Sequence, residues 1–125
     1  MKTIVIGDIH GCFDELCELL DLIGPTADDR IIAIGDIVDR GPDSEKVLEF
    51  FRDQPNAVSL MGNHERKHLL SARGKVRPAL SQKIVKAQLG ERYDDWLDFM
   101  ETLPRHIELP EAILVHGMFE PGASL

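Results

Sequence analysis

The sequence is poor in cysteine, in long apolar runs and in positive charge, and each shortage sets aside a class of protein. Its two cysteines, Cys12 and Cys17, lie five residues apart on what reads as one helix. That spacing puts them on different faces and argues against a disulfide between them. Reduced thiols fit a cytoplasmic protein, and both read as packing residues. No stretch approaches the roughly 20 apolar residues of a membrane-spanning helix. The opening MKTIVIGD holds one Lys and an apolar run broken at Asp8, too short for a secretory signal. A cytoplasmic location is the expectation. The formal net charge of −8 argues against a nucleic-acid duplex or an anionic membrane as partner. Acidity has a second reading, because carboxylates gathered around cations look acidic only until the cations are counted. No internal repeat and no low-complexity segment interrupts the chain.

What is present reads as one α/β domain over residues 1–125. Lys2–Ile6, Arg30–Ile34 and Ala57–Met61 are short β-branched or apolar runs, each ended by Gly, and read as buried strands. Phe13–Ile23 carries an apolar stripe at Phe13, Leu16, Leu19, Leu20 and Ile23, stopped by Gly24-Pro25. A second helix bears Val47, Leu48, Phe50 and Phe51. Three strands each followed by a helix imply a mostly parallel sheet flanked by helices, with its site at the carboxyl edge. His64–Ala72 reads as helix, followed by the basic loop Arg73-Gly74-Lys75-Val76-Arg77-Pro78. Helices are expected over about Ala79–Leu89 and Asp94–Leu103, with Trp96, Phe99, Met100 and Leu103 in the core. Arg105–Leu109 and Ala112–His116 read as a hairpin or as the start of a second sheet.

Three Gly-flanked motifs follow the three strands: GDIHG at Gly7–Gly11, GDIVDRG at Gly35–Gly41 and GNHE at Gly62–Glu65. A weaker one, LVHG, covers Leu114–Gly117. Each places Asp, Asn or His directly after a strand, where the backbone fixes the donor and glycine permits the turn. Asp8 and His10 alternate with Ile9 and project the same way; Asp36, Asn63 and His116 arrive from other strand ends. Mixed oxygen and imidazole donors suit Mn, Fe or Zn. Five donors exceed the needs of one ion, and a carboxylate shared by two divalent ions suits phosphoester hydrolysis. The glycines do not form the full G-x-G-x-x-G of a dinucleotide site.

In this order, GDIHG, GDIVDRG and GNHE resemble the signature of the PPP-type serine/threonine phosphatases among the calcineurin-like metallophosphoesterases. Bacterial diadenosine tetraphosphate hydrolases share it. The resemblance runs from Gly7 to Gly117 and implies the N-terminal part of a four-layer αββα sandwich. It assigns Asp8 and His10 to one metal, Asp36 to a bridge, and Asn63 and His116 to the second metal. Arg40 would clamp phosphate oxygens, His64 would protonate the leaving oxygen, and Asp39 would orient His64. Two divalent ions, Mn²⁺ first with Fe or Zn as alternatives, would hold the attacking hydroxide. The substrate expected first is phosphoserine or phosphothreonine on protein. A dinucleoside tetraphosphate is the alternative within the family. A catalytically incomplete metal- or phosphate-binding module is the alternative outside catalysis.

The pattern departs from the family in two places. A late Gly-His segment that would supply another metal ligand has no counterpart after His116, so the chain is expected to be truncated at its C-terminus. HGMFEPG also stands where HGGL or HAGL is usual. Glu65 reads as a helix-start residue supporting the site and His106 as a plain strand residue; His68, one turn after His64, reads first as a solvated helix position, with a place facing the site as the alternative. The basic loop residues Arg73, Lys75 and Arg77 read as solvated, or as holders of an anionic substrate.

Overall fold

The computed structural model describes residues 2–116. β1 (Thr3–Ile6), β2 (Arg30–Ala33) and β3 (Ala57–Ser59) form a parallel sheet in the order β1-β2-β3. α1 (Phe13–Ile23) and α2 (Ser44–Asp53) are the two crossovers. α3 (Asn63–Ala72), α4 (Leu80–Leu89) and α5 (Tyr93–Glu101) follow. An antiparallel hairpin of β4 (His106–Leu109) and β5 (Ala112–Val115) completes the described chain.

Strand β2 shows why two layers form. Its side chains alternate between faces, so Ile31 and Ala33 join the helices in a core with Leu16, Val47, Leu48 and Trp96. Ile32 and the following Ile34 pack on the opposite face with Leu60, Ile107, Leu109 and Leu114. The last two of these belong to the hairpin, as does Ile107. The hairpin is therefore also the start of a second layer of sheet lying on the first, which joins the two readings of this segment. Met61 N–H donates to Pro104 C=O at 2.8 Å and ties β3 to the entry of the hairpin.

One expectation about the strands fails. Among the described residues β1 and β3 are the two edges of their sheet, and Val5 on β1 is 48% exposed rather than buried. A run such as TIVI reports strand propensity, but the number of neighbours a strand acquires depends on segments far away in sequence. The helices match their expected spans within one or two residues, and α1 ends as expected, on Gly24 in the left-handed conformation. Cys12 precedes α1 rather than lying in it, and both cysteines are free. Among the described residues, no helix is long and apolar enough to cross a membrane.

Candidate metal centre

The loops leaving β1 and β2 are laced together before any side chain is considered. Ile9 and His10 N–H both donate to the Asp36 carbonyl, at 3.2 and 2.9 Å, and Gly11 N–H donates to that of Ile37 at 2.8 Å. Gly41 N–H returns to His10 C=O at 2.7 Å, and Asp43 N–H to Gly11 C=O at 2.9 Å. Such contact leaves no room for a Cβ. One on Gly41 would overlap the His10 carbonyl, and one on Gly62 would overlap the Asp36 backbone nitrogen. The same lacing holds four non-glycine residues in left-handed conformations: His10 (φ 47°), Asp36 (55°), Asp39 (72°) and Arg40 (72°). Each is disfavoured by roughly 1–2 kcal/mol, so the surrounding hydrogen bonds must impose it.

Two sets of donor atoms result, and Asp36 belongs to both. His10, Asp36 and His64 form one set and Asp8, Asp36 and His116 the other, with ligand atoms within 4.8 Å of one another in each. The motifs paired Asp8 with His10; in the structure His10 Nε2 lies 3.7 Å from Asp8 Oδ2. Ring orientation tests whether cations fit. His10 Nδ1 lies 3.1 Å from the Val38 carbonyl oxygen, and His116 Nδ1 lies 2.8 Å from that of Ile34. A carbonyl only accepts, so both Nδ1 atoms carry hydrogen, and in the neutral rings Nε2 presents a lone pair. His116 Nε2 is 3.1 Å from Asp36 Oδ2. A proton or a metal ion can bridge atoms at that distance, and an oxygen-and-imidazole donor set built around one carboxylate common to both sets suits divalent metal ions.

His64 is held differently. Its Nδ1 lies 2.8 Å from Asp39 Oδ2, which leaves Nε2 as its free ring nitrogen. Its ring meets that of His10 edge to face at 4.8 Å between centroids. Asp39 is fully buried. Burial works to raise its carboxyl, but hydrogen bonds from His68, His64 and Gln82 outweigh this and hold it below the ordinary value. The carboxylate is therefore an acceptor at both oxygens.

Glu65 supports the loops from beneath. Its Oε1 accepts the backbone N–H of Asp36 at 2.8 Å and of Gly62 at 2.9 Å; its Oε2 accepts those of Ile37 and Val38 at 3.1 and 3.4 Å. Burial, with the Asp36 charge adding to it, pushes this carboxyl up to about 7 against those backbone donors. Glu65 is thus the helix-start support expected of it, reaching two chain segments at once.

The remaining expectations divide. Asn63 opens α3 with its side chain exposed, and Arg40 is exposed on the β2 loop. Arg73 forms an ion pair with Glu101, while Lys75 and Arg77 are exposed. Gly117 and the MFEPG segment after it lie outside the described residues. The solvated position expected for His68 is wrong. His68 is fully buried, with Nε2 at 2.6 Å from Asp39 Oδ1 and Nδ1 at 2.6 Å from the Tyr93 hydroxyl. Its spacing of four from His64 places both on one helix face, a signal that was available. That the face turns inward depends on Tyr93 and Gln82, from later helices.

Comparison with known proteins agrees with this architecture. The family model for calcineurin-like phosphoesterases matches residues 1–122. The symmetrical bis(5'-nucleosyl)-tetraphosphatase of Nitrosomonas europaea is 38% identical over 130 aligned positions, covering 100% of this chain and 47% of that protein. The enzyme of the same name from Aeromonas hydrophila is 36% identical, covering 98% and 46%. The chain spans about half the length of these relatives. Among solved structures, a candidate diadenosine tetraphosphatase superposes with a TM-score of 0.80 at 28% identity, covering 98% of this chain and 53% of that one. A serine/threonine phosphatase from Saccharomyces cerevisiae shares the fold, with a TM-score of 0.72 at 22% identity, covering 97% and 40%. With its laced loops and shared Asp36, the chain belongs to the calcineurin-like phosphoesterase family.

Proposed function

We propose that this chain carries the metal-binding half of a dinucleoside tetraphosphate hydrolase. The observation that carries the catalytic part is the pair of histidines, His10 and His116, whose Nδ1 atoms face backbone carbonyls and leave Nε2 for the ions around Asp36. The substrate part is supported by the names of the relatives at 34–38% identity. They reverse the order reached from the motifs, in which a phosphoprotein stood first. GDIHG, GDIVDRG and GNHE are motifs of the reaction centre, common to both substrate classes, so they do not discriminate between them.

In this reading Asp8, His10, Asp36, Asn63 and His116 hold two divalent ions, Mn²⁺ first with Fe or Zn as alternatives. When bound, the ions supply Lewis acidity and an activated water. Symmetrical cleavage adds one water across the central phosphoanhydride and releases two nucleoside diphosphates. The Arg40 guanidinium, free in solvent, pairs with non-bridging phosphate oxygens, for which its planar fork is suited. His64, with Nδ1 fixed on Asp39, offers Nε2 to the leaving oxygen. A cytoplasmic site of action fits the free thiols of Cys12 and Cys17.

The test is turnover of diadenosine tetraphosphate and of a phosphothreonine peptide in Mn²⁺, with Asp36→Asn as control. ADP formation, lost in the variant, is the expected result. Phosphate released from the peptide alone would restore the phosphoprotein reading. Silence on both, with Mn²⁺ still bound, would favour a binding module.

A further inference from the structure

The Asp39 carboxylate receives three side-chain donors on its two oxygens. His64 Nδ1 and Gln82 Nε2 converge on Oδ2 at 2.8 and 2.7 Å, and His68 Nε2 meets Oδ1 at 2.6 Å. Each donor is itself oriented. Gln82 Oε1 accepts the Ala79 N–H at 2.7 Å, so the amide face turned to Asp39 is the NH₂. The His68 Nδ1 atom faces the Tyr93 hydroxyl. Burial, followed by the charges of Asp39 and Asp94, pushes that phenol up to about 12, so it stays a donor. A carboxylate only accepts, so His68 Nε2 carries the hydrogen it gives to Asp39, and in the neutral ring Nδ1 then accepts the Tyr93 O–H. The 3.5 Å approach of Gln82 Nε2 to His64 Nδ1 brings together two donors that share Oδ2.

His68 and Gln82 are almost wholly buried, in a region whose other packing is apolar. An apolar residue at position 68 would leave Asp39 Oδ1 buried without a donor. A carboxylate in that state rotates or takes up a proton, and His64 loses its acceptor in either case.

We propose that His68 and Gln82 are positioning residues that fix the Asp39 carboxylate. Through it they hold the His64 ring with its Nδ1–H on Asp39 and Nε2 directed at the reacting group, so that the ring carrying a second proton on Nε2 gives that proton to the leaving oxygen and is left as the Nδ1–H tautomer. This rests on the assignment of His64 as proton donor to the leaving oxygen and extends it to residues from α3 and α4, with Tyr93 of α5 behind them. None of the three touches substrate.

The experiment compares His68→Leu with His68→Gln, which keeps a donor near the Nε2 position. Two readouts are used on the whole chain. The first is the side-chain ¹⁵N spectrum of His64 in the ion-free protein, which reports its tautomer whether or not the chain turns over. A single Nδ1–H tautomer is expected in wild type and in His68→Gln, and a mixture in His68→Leu. The second is hydrolysis of phenyl phosphate against p-nitrophenyl phosphate in Mn²⁺. His68→Leu should lower kcat on the phenyl ester by about 10-fold or more with KM little changed, and by under about 3-fold on the nitrophenyl ester, which needs less help from an acid. In a His64→Ala background, the same substitution should change kcat by less than about 2-fold. An unchanged His64 tautomer in a folded His68→Leu protein overturns the proposal. Equal losses on both esters also overturn it, since a merely structural role produces that result. Absence of turnover by wild type counts against the phosphoesterase reading alone, because the nitrogen spectrum still decides the role of His68.

Discussion

The Asp36 side chain caps the helix that carries His64: its Oδ1 accepts the His64 backbone N–H at 2.9 Å. Gly62, the residue before α3, has no side chain with which to do this, so a carboxylate from a loop 28 positions before His64 does it instead. The remaining oxygen, Oδ2, faces His116 at 3.1 Å. One carboxylate thus seats a helix and contributes to both donor sets.

Asp36→Asn should separate these tasks. The amide oxygen can keep the capping bond, so the ion-free protein should melt within a few degrees of wild type. The charge that both ions would share is gone, and Mn²⁺ affinity should fall beyond the roughly 10–100-fold typical of losing an outer-shell partner. Calorimetric titration with Mn²⁺ beside a thermal melt reads both; intact affinity would refute the shared-ligand role.

Glu65→Ala should act on stability first. It strips buried acceptors from four backbone N–H groups, each costing about 1–3 kcal/mol if left unpaired, with inflowing water reducing the sum. A loss of about 3 kcal/mol or more by urea denaturation is expected. Glu65→Gln, which keeps one acceptor oxygen, should lose less.

Gly62→Ala tests the close approach of the β2 and β3 loops. A methyl there would overlap the Asp36 nitrogen and sit 2.9 Å from Glu65 Oε1, neither of which can retreat without breaking the clasp. Metal binding and turnover should both be lost. Gly74→Ala, where no atom lies within 4 Å but φ is 72°, should show only a modest stability change.

A pH effect is expected far from the site. The buried Asp29 carboxylate accepts the Thr26 and Lys2 backbone N–H groups, both at 2.9 Å, and these bonds hold it below the ordinary carboxyl value. A depressed carboxyl contributes stability above its unfolded value, near 3.9, and loses it as pH falls through the folded value. Asp29→Asn should therefore lower the melting temperature at pH 7, with the gap to wild type narrowing below about pH 4. A gap that stayed constant down to pH 3 would show that the charge is irrelevant.

The ligand loops were legible in the sequence because their chemistry needs a particular residue after a strand and a glycine beside it. Asp8 and Asp36, which fall in one donor set, announce themselves in that way, and the His64–Asp39 contact followed from the family resemblance that those motifs carry. His68 did not. Its partners are Tyr93, 25 residues later and outside any motif, and Asp39, which Gln82 also meets. Strand β1 shows the same limit, since TIVI states a propensity while its edge position among the described residues depends on which other segments pair with it. Local pattern carries local geometry; which face is covered is set by long-range packing.

The left-handed backbone at His10, Asp36, Asp39 and Arg40 sets two selective demands against each other. A screen of random variants for heat resistance alone would reward glycine at Arg40, where the side chain is exposed and the backbone strain to be relieved is on the order of 1 kcal/mol. At Asp36 and Asp39 the same exchange would strip acceptors from the His64 backbone N–H and from three side-chain donors, so there the strain is kept. A thermostable descendant with glycine at position 40 would keep its sheet and helices while losing the guanidinium that would meet phosphate, so screens on this protein should score turnover and melting temperature together.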